Sequence, residues 1–69
     1  MLSKAAQTSR VLLINDDSFE LATMAASLRL HSVNVVGEAS NMLIAENLFR
    51  SLQPEIVLID LQLDRKSVV

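Results

Sequence analysis

An α/β fold with three parallel strands in the order 2-1-3 is what this sequence predicts. Three short apolar runs, Val11-Leu12-Leu13-Ile14, Val33-Asn34-Val35-Val36 and Ile56-Val57-Leu58-Ile59, alternate with two segments whose apolar residues recur at helical spacing. The first and last runs are continuous rather than alternating, which suits strands buried on both faces of a parallel sheet. The β-α-β-α-β order then implies right-handed crossovers, with strands 2 and 3 on opposite sides of strand 1.

Composition narrows the field. The chain has 69 residues, enough for one domain or part of one, and 51% are hydrophobic against 20% charged, which argues against disorder. With no cysteine, disulfide scaffolds and thiolate metal sites are excluded, and one histidine cannot build a histidine cluster. No apolar run approaches the roughly 20 residues of a membrane-spanning helix. A formal net charge of −2 gives no nucleic-acid footprint. Lys4 and Arg10 flank a stretch too weakly apolar for a secretory signal, so the expected compartment is the cytoplasm. A chain this short needs an efficient core or a partner.

Each element has its own local cause. Residues 1–9 are small and polar and read as a flexible N-terminal arm. The first strand stops at Asn15-Asp16-Asp17-Ser18, which are turn and cap residues. Residues 19–31 read as a helix with Leu21, Met24, Ala25 and Leu28 on one face. Asp17 with Glu20 forms a candidate capping box, and Ser18 is the alternative cap. The second strand spans 33–36, ended by Gly37. A second helix spans 41–52 with Ala45, Leu48, Phe49 and Leu52 inward, and Pro54 ends it. The third strand spans 56–59 and closes on Asp60. Phe19, Leu30 and Leu43 project away from the inner faces; His31 reads as a surface residue of a helix C-terminal turn.

This topology makes the acidic residues informative. Asp16 and Asp17 fall at the carboxyl end of strand 1 and Asp60 at that of strand 3, at the switch point where open α/β sheets bind ligands. Neighbouring strands lie about 4.8 Å apart, so three carboxylates are expected at one rim. Their mutual repulsion calls for a hard divalent cation with oxygen ligands, such as Mg²⁺. A carboxylate beside that cation can attack a phosphoryl group and become an aspartyl phosphate.

Three stretches in register, Val11-Leu12-Leu13-Ile14-Asn15-Asp16-Asp17, Val35-Val36-Gly37-Glu38-Ala39-Ser40-Asn41 and Pro54-Glu55-Ile56-Val57-Leu58-Ile59-Asp60-Leu61-Gln62-Leu63, resemble the receiver domain of two-component response regulators. The resemblance covers nearly all of residues 10–63 and implies half of a flavodoxin-like fold. It implies that Asp60 is the phosphoacceptor, loaded by a histidine kinase, and not an enzyme's catalytic centre. It implies that Asp17 binds Mg²⁺ directly, Asp16 through water, and Gln62 through its backbone carbonyl. With Asp17 committed to metal, Ser18 becomes the expected helix cap.

The sequence departs from the family in its second half. It stops just after strand 3, so the resemblance implies a truncated receiver over 10–63 and a tail over 64–69. The family's fourth-strand Ser/Thr, fifth-strand Lys and aromatic switch residue have no counterpart, and Asp64 stands where a proline is usual. Lys66, six positions beyond Asp60, is a solvated tail charge rather than a substitute. Strand 3 would be left as an apolar edge, a template for pairing. A homodimer through that edge, or strand exchange, is therefore expected. The competing reading is a non-phosphorylated receiver-derived interaction or dimerisation fragment. A haloacid-dehalogenase-type phosphatase is disfavoured, because that family wants a second Asp where Gln62 stands.

Overall fold

The computed structural model describes residues 9–60. The elements follow the expected order: β1 (Arg10–Asn15), α1 (Ser18–Leu30), β2 (Asn34–Ala39), α2 (Met42–Leu52) and β3 (Ile56–Asp60). β1 is central, parallel to β2 on one side and to β3 on the other, giving the order β2-β1-β3. The expected arm apart from Ser9, and the expectations for Leu61 to Leu63 and the 64–69 tail, lie outside the described residues.

Apolar runs dictate this layering. Val11 and Leu13 meet Leu21 and Ala25 of α1 together with Val35, and Met24, Leu28 and Val33 pack against them. Leu12 and Ile14 meet Ala39 and Ala45, with Leu48 and Val57 alongside. Alternate residues of β1 thus feed two cores, one beneath each helix. Leu12 and Leu13 are fully buried, each contributing about 1.5–3 kcal/mol of apolar burial.

β2 departs from expectation. It begins at Asn34, runs through Gly37 and ends at Ala39. The register steps from Val11↔Val35 to Leu12↔Gly37, leaving Val36 as the extra residue of a bulge. Plain alternation would put Val35 and Gly37 on one face. The bulge instead lets Val35 join the α1 core while Ala39 joins the α2 core. Gly37 does not break the strand; it permits close approach. A Cβ there would lie 2.8 Å from Leu52 Cδ1 and 3.1 Å from Leu12 Cδ1.

The helix termini carry one correction. Asp17, not Ser18, is the N-cap of α1, because Asp17 is extended and Ser18 is already helical. Asp17 Oδ1 accepts from the backbone N–H groups of Phe19 (2.9 Å) and Glu20 (3.0 Å). At the other end, Ser32 N–H donates to Arg29 O and Val33 N–H to Leu28 O, with Ser32 at φ 66°. That is a Schellman closure, and Val33 and Leu28 pack on the same core. Asn41 caps α2 by accepting from Ile44 N–H (2.9 Å), so the helix starts one residue later than expected. Gln53 leaves α2 in the left-handed region at φ 48°, just before Pro54.

β3 is the open edge of the described sheet. It is anchored at its start, where Glu55 N–H donates to Arg10 O (2.8 Å) and the Arg10 guanidinium donates to Gln53 O (2.8 Å). Only Val57 is half-buried; Ile56, Leu58 and Ile59 are exposed. A groove of about 360 Å³ lies over Val57 and Ile59 beside α2, and one of about 370 Å³ lies beside α1 over Leu58. Phe49, expected inside, is 52% exposed at the first groove's margin, because α2 packs mainly over β2 and β1 rather than over β3. Phe19, Leu30 and Leu43 are exposed as expected. No helix among the described residues is long and apolar enough to cross a membrane.

Candidate functional site

Both acidic segments end at one rim of the sheet. Asn15 and Asp60 are register partners at the ends of β1 and β3. Parallel neighbours lie about 4.8 Å apart and the next Cα is about 3.8 Å further along the chain, so the Cα atoms of Asp16 and Asp60 fall within roughly 9 Å. The rim lies at the switch point, since the crossover from β1 leads to β2 on one side and the crossover from β2 leads back past β1 to β3 on the other.

The side chains are placed less uniformly than the backbones. Asp16, Asp17 and Asp60 are all exposed. Leu58 lines the groove beside Met24 and Leu28, so strand alternation assigns Asp60 to the α1 face. Asp17 turns one carboxylate oxygen into the helix cap, which leaves its second oxygen for another ligand. Among the described residues, no three acidic or histidine side chains are gathered in a metal-holding group. Gln62 and Lys66 lie outside the described residues. His31 is at the opposite end of α1, about 20 Å from the rim by helix length, with Nδ1 2.8 Å from Ser27 O.

Donor chemistry and backbone placement fit a hard cation. Every candidate donor is an oxygen, the type Mg²⁺ takes. Asp16, Asp60 and the oxygen of Asp17 that does not cap α1 are the groups that would hold it.

One residue of the rim escaped sequence reasoning. Asn15 is completely buried, the sole buried polar side chain among the described residues. Its Oδ1 accepts from Asp17 N–H at 2.8 Å, and its Nδ2 lies 3.5 Å from Glu20 Oε1 and 3.4 Å from Met24 Sδ. The signal was present: Val11, Leu13 and Asn15 share one strand face, so a polar residue occupies the third core position in a row. Compared with protein-family models, curated proteins and solved structures, the chain matches none.

Proposed function

We propose that this chain is a phosphoacceptor module of the receiver type, with Asp60 taking a phosphoryl group from the phosphohistidine of a partner kinase in a cytoplasmic two-component relay. The observation that carries the reading is the parallel β1/β3 register, Asn15 opposite Asp60, which sets the backbones of the Asp16-Asp17 turn and of Asp60 at one rim of the sheet. An Asp60 carboxylate oxygen attacks phosphorus, an acyl-phosphate P–O bond forms and the P–N bond breaks, its electron pair returning to the ring nitrogen, so that the phosphohistidine, protonated at its other ring nitrogen, leaves as neutral imidazole. When bound, Mg²⁺ neutralises charge on the phosphoryl oxygens. Asp16 and Asp17 would hold that cation, and the exposure of Asp60 gives the donor access. The half-flavodoxin-like description belongs to this same reading.

The test uses Mg²⁺ and a small phosphodonor such as acetyl phosphate. Mass spectrometry should find one added phosphoryl group, labile to base, and none in Asp60→Asn. A folded wild-type sample that takes up no phosphoryl group overturns the reading.

A second reading, a non-phosphorylated association fragment, is favoured by one observation: β3 is an exposed edge with apolar side chains on both faces. Its occupant would be a second copy of this chain.

A further inference from the structure

We propose that Asn15 is the positioning residue of the acidic rim. The inference rests on the phosphoacceptor reading, because it concerns the same carboxylates.

Asn15 has no exposed surface, and every other buried residue described is apolar. A buried primary amide must find partners for its oxygen and its N–H groups. Asn15 finds them just beyond its own strand and on α1. The Asp17 N–H at 2.8 Å can be accepted only by the amide oxygen, which fixes the orientation of the amide. The nitrogen then faces Glu20 Oε1 and Met24 Sδ. No buried side-chain nitrogen or oxygen among the described residues lacks a partner. The 3.5 Å contact to Glu20 is at the long limit for a hydrogen bond, so the Asp17 bond is the strong one.

That bond is an Asx turn, which pins the backbone two residues ahead. It sets the direction in which Asp16 leaves β1, and it delivers Asp17 to the helix N-terminus, where Oδ1 takes two more amides. The same side chain belongs to the residue opposite Asp60 in the β1/β3 register. One buried amide therefore stands at the junction of the two acidic segments. An apolar residue here would fill the core and leave the Asp16-Asp17 turn unpinned. A carboxylate would accept the same bond while burying a fourth negative charge without a counter-ion. Asparagine supplies the acceptor without the charge.

The test separates pinning from packing. Asn15→Thr and Asn15→Val are isosteric, both suit a strand, and only threonine can accept from the Asp17 N–H. Mg²⁺ alone is titrated while nitrogen-15 NMR follows the amides of Asp16, Asp17 and Asp60, and circular dichroism reports the fold. We expect Asn15→Thr to bind Mg²⁺ within about twofold of wild type and Asn15→Val about tenfold more weakly, as for other residues that orient metal ligands. The Asp17 amide should exchange with solvent faster in Asn15→Val than in Asn15→Thr. Asn15→Ser against Asn15→Ala repeats the comparison if the bulkier pair does not fold. Equal Mg²⁺ affinity within a folded pair overturns the positioning role alone. A wild-type rim that does not respond to Mg²⁺ overturns the phosphoacceptor reading and this inference with it.

Discussion

Asp17 holds two roles in one side chain, and they can be separated chemically. One oxygen caps α1; the other is free for a cation. Asparagine caps a helix about as well as aspartate, whereas alanine loses about 1 kcal/mol. Asp17→Asn should therefore keep the stability of the wild type within a few tenths of a kcal/mol and still weaken Mg²⁺ binding. Asp17→Ala should lose both. Urea unfolding with and without Mg²⁺ reads the two effects; a stability loss in Asp17→Asn as large as in Asp17→Ala would remove the capping role. The position of this aspartate was legible in the sequence, because it follows an apolar run that can only be a buried strand. Its use as the cap was not, since Asp17 and Ser18 are equally good caps and only the extended backbone of Asp17 decides between them. The role of Asn15 was hidden for a different reason. Strand patterning marks where a side chain points, and a polar residue in a core position reads as a strand end until its partners are known.

The five elements were legible from local patterns: two continuous apolar runs, one β-branched run and two segments with apolar residues at helical spacing, the stripe clear in α2 and weak in α1. Their ends were less so. β2 reaches Ala39 because Val36 bulges and Gly37 makes room, and neither effect leaves a periodic trace. This close approach predicts the cost of Gly37→Ala. Its methyl would meet Leu52 Cδ1 and Leu12 Cδ1 inside contact distance, in the layer joining β2, β1 and α2. Leu12 is fully buried in the core with Ala39 and Ala45 and has little room to give, whereas the half-buried Leu52 at the end of α2 can shift more readily. Overpacking of this size costs about 1–3 kcal/mol, so the urea midpoint should fall. Amide exchange should accelerate first in β2 and α2, while α1 and its Schellman closure on the opposite face stay protected. Uniform acceleration across both helices would mean that the two cores melt as one unit. Phe49 illustrates the limit of helical patterning. Its spacing matches the inner stripe, yet inward packing needs a strand beneath, and α2 packs mainly over β2 and β1 rather than over β3.

At the scale of the molecule, the open edge of the described sheet is where the proposed association would occur. β1 is satisfied on both sides; among the described residues β3 is paired only with β1 and exposes Ile56, Leu58 and Ile59. Alternate backbone N–H and C=O groups of β3 point away from β1, so a second strand can add there. A second copy fits in only one direction. Parallel pairing would set Asp60 beside the Asp60 of the other copy. Antiparallel pairing about Leu58 places Asp60 opposite Ile56 and separates the two carboxylates along the strand by about 13 Å. That pairing is two-fold symmetric and gives a six-stranded sheet, β2-β1-β3 continuing into its mirror order. A two-fold axis normal to the sheet keeps the copies of α1 on one face and those of α2 on the other. Because each helix covers β1 and β2, a trough about one helix wide remains over the joined β3 strands. The contact is therefore narrow, and association in the micromolar range is expected. Sedimentation velocity should show a concentration-dependent dimer. Leu58→Lys, which adds a charge to the centre of the edge without touching the Asp16-Asp17 turn, should return it to monomer with circular dichroism unchanged. A folded wild-type monomer across the micromolar range would exclude edge pairing. A dimer that survives Leu58→Lys would move the contact away from β3, and the exposed Phe19 and Leu30 of α1 would be the next surface to substitute.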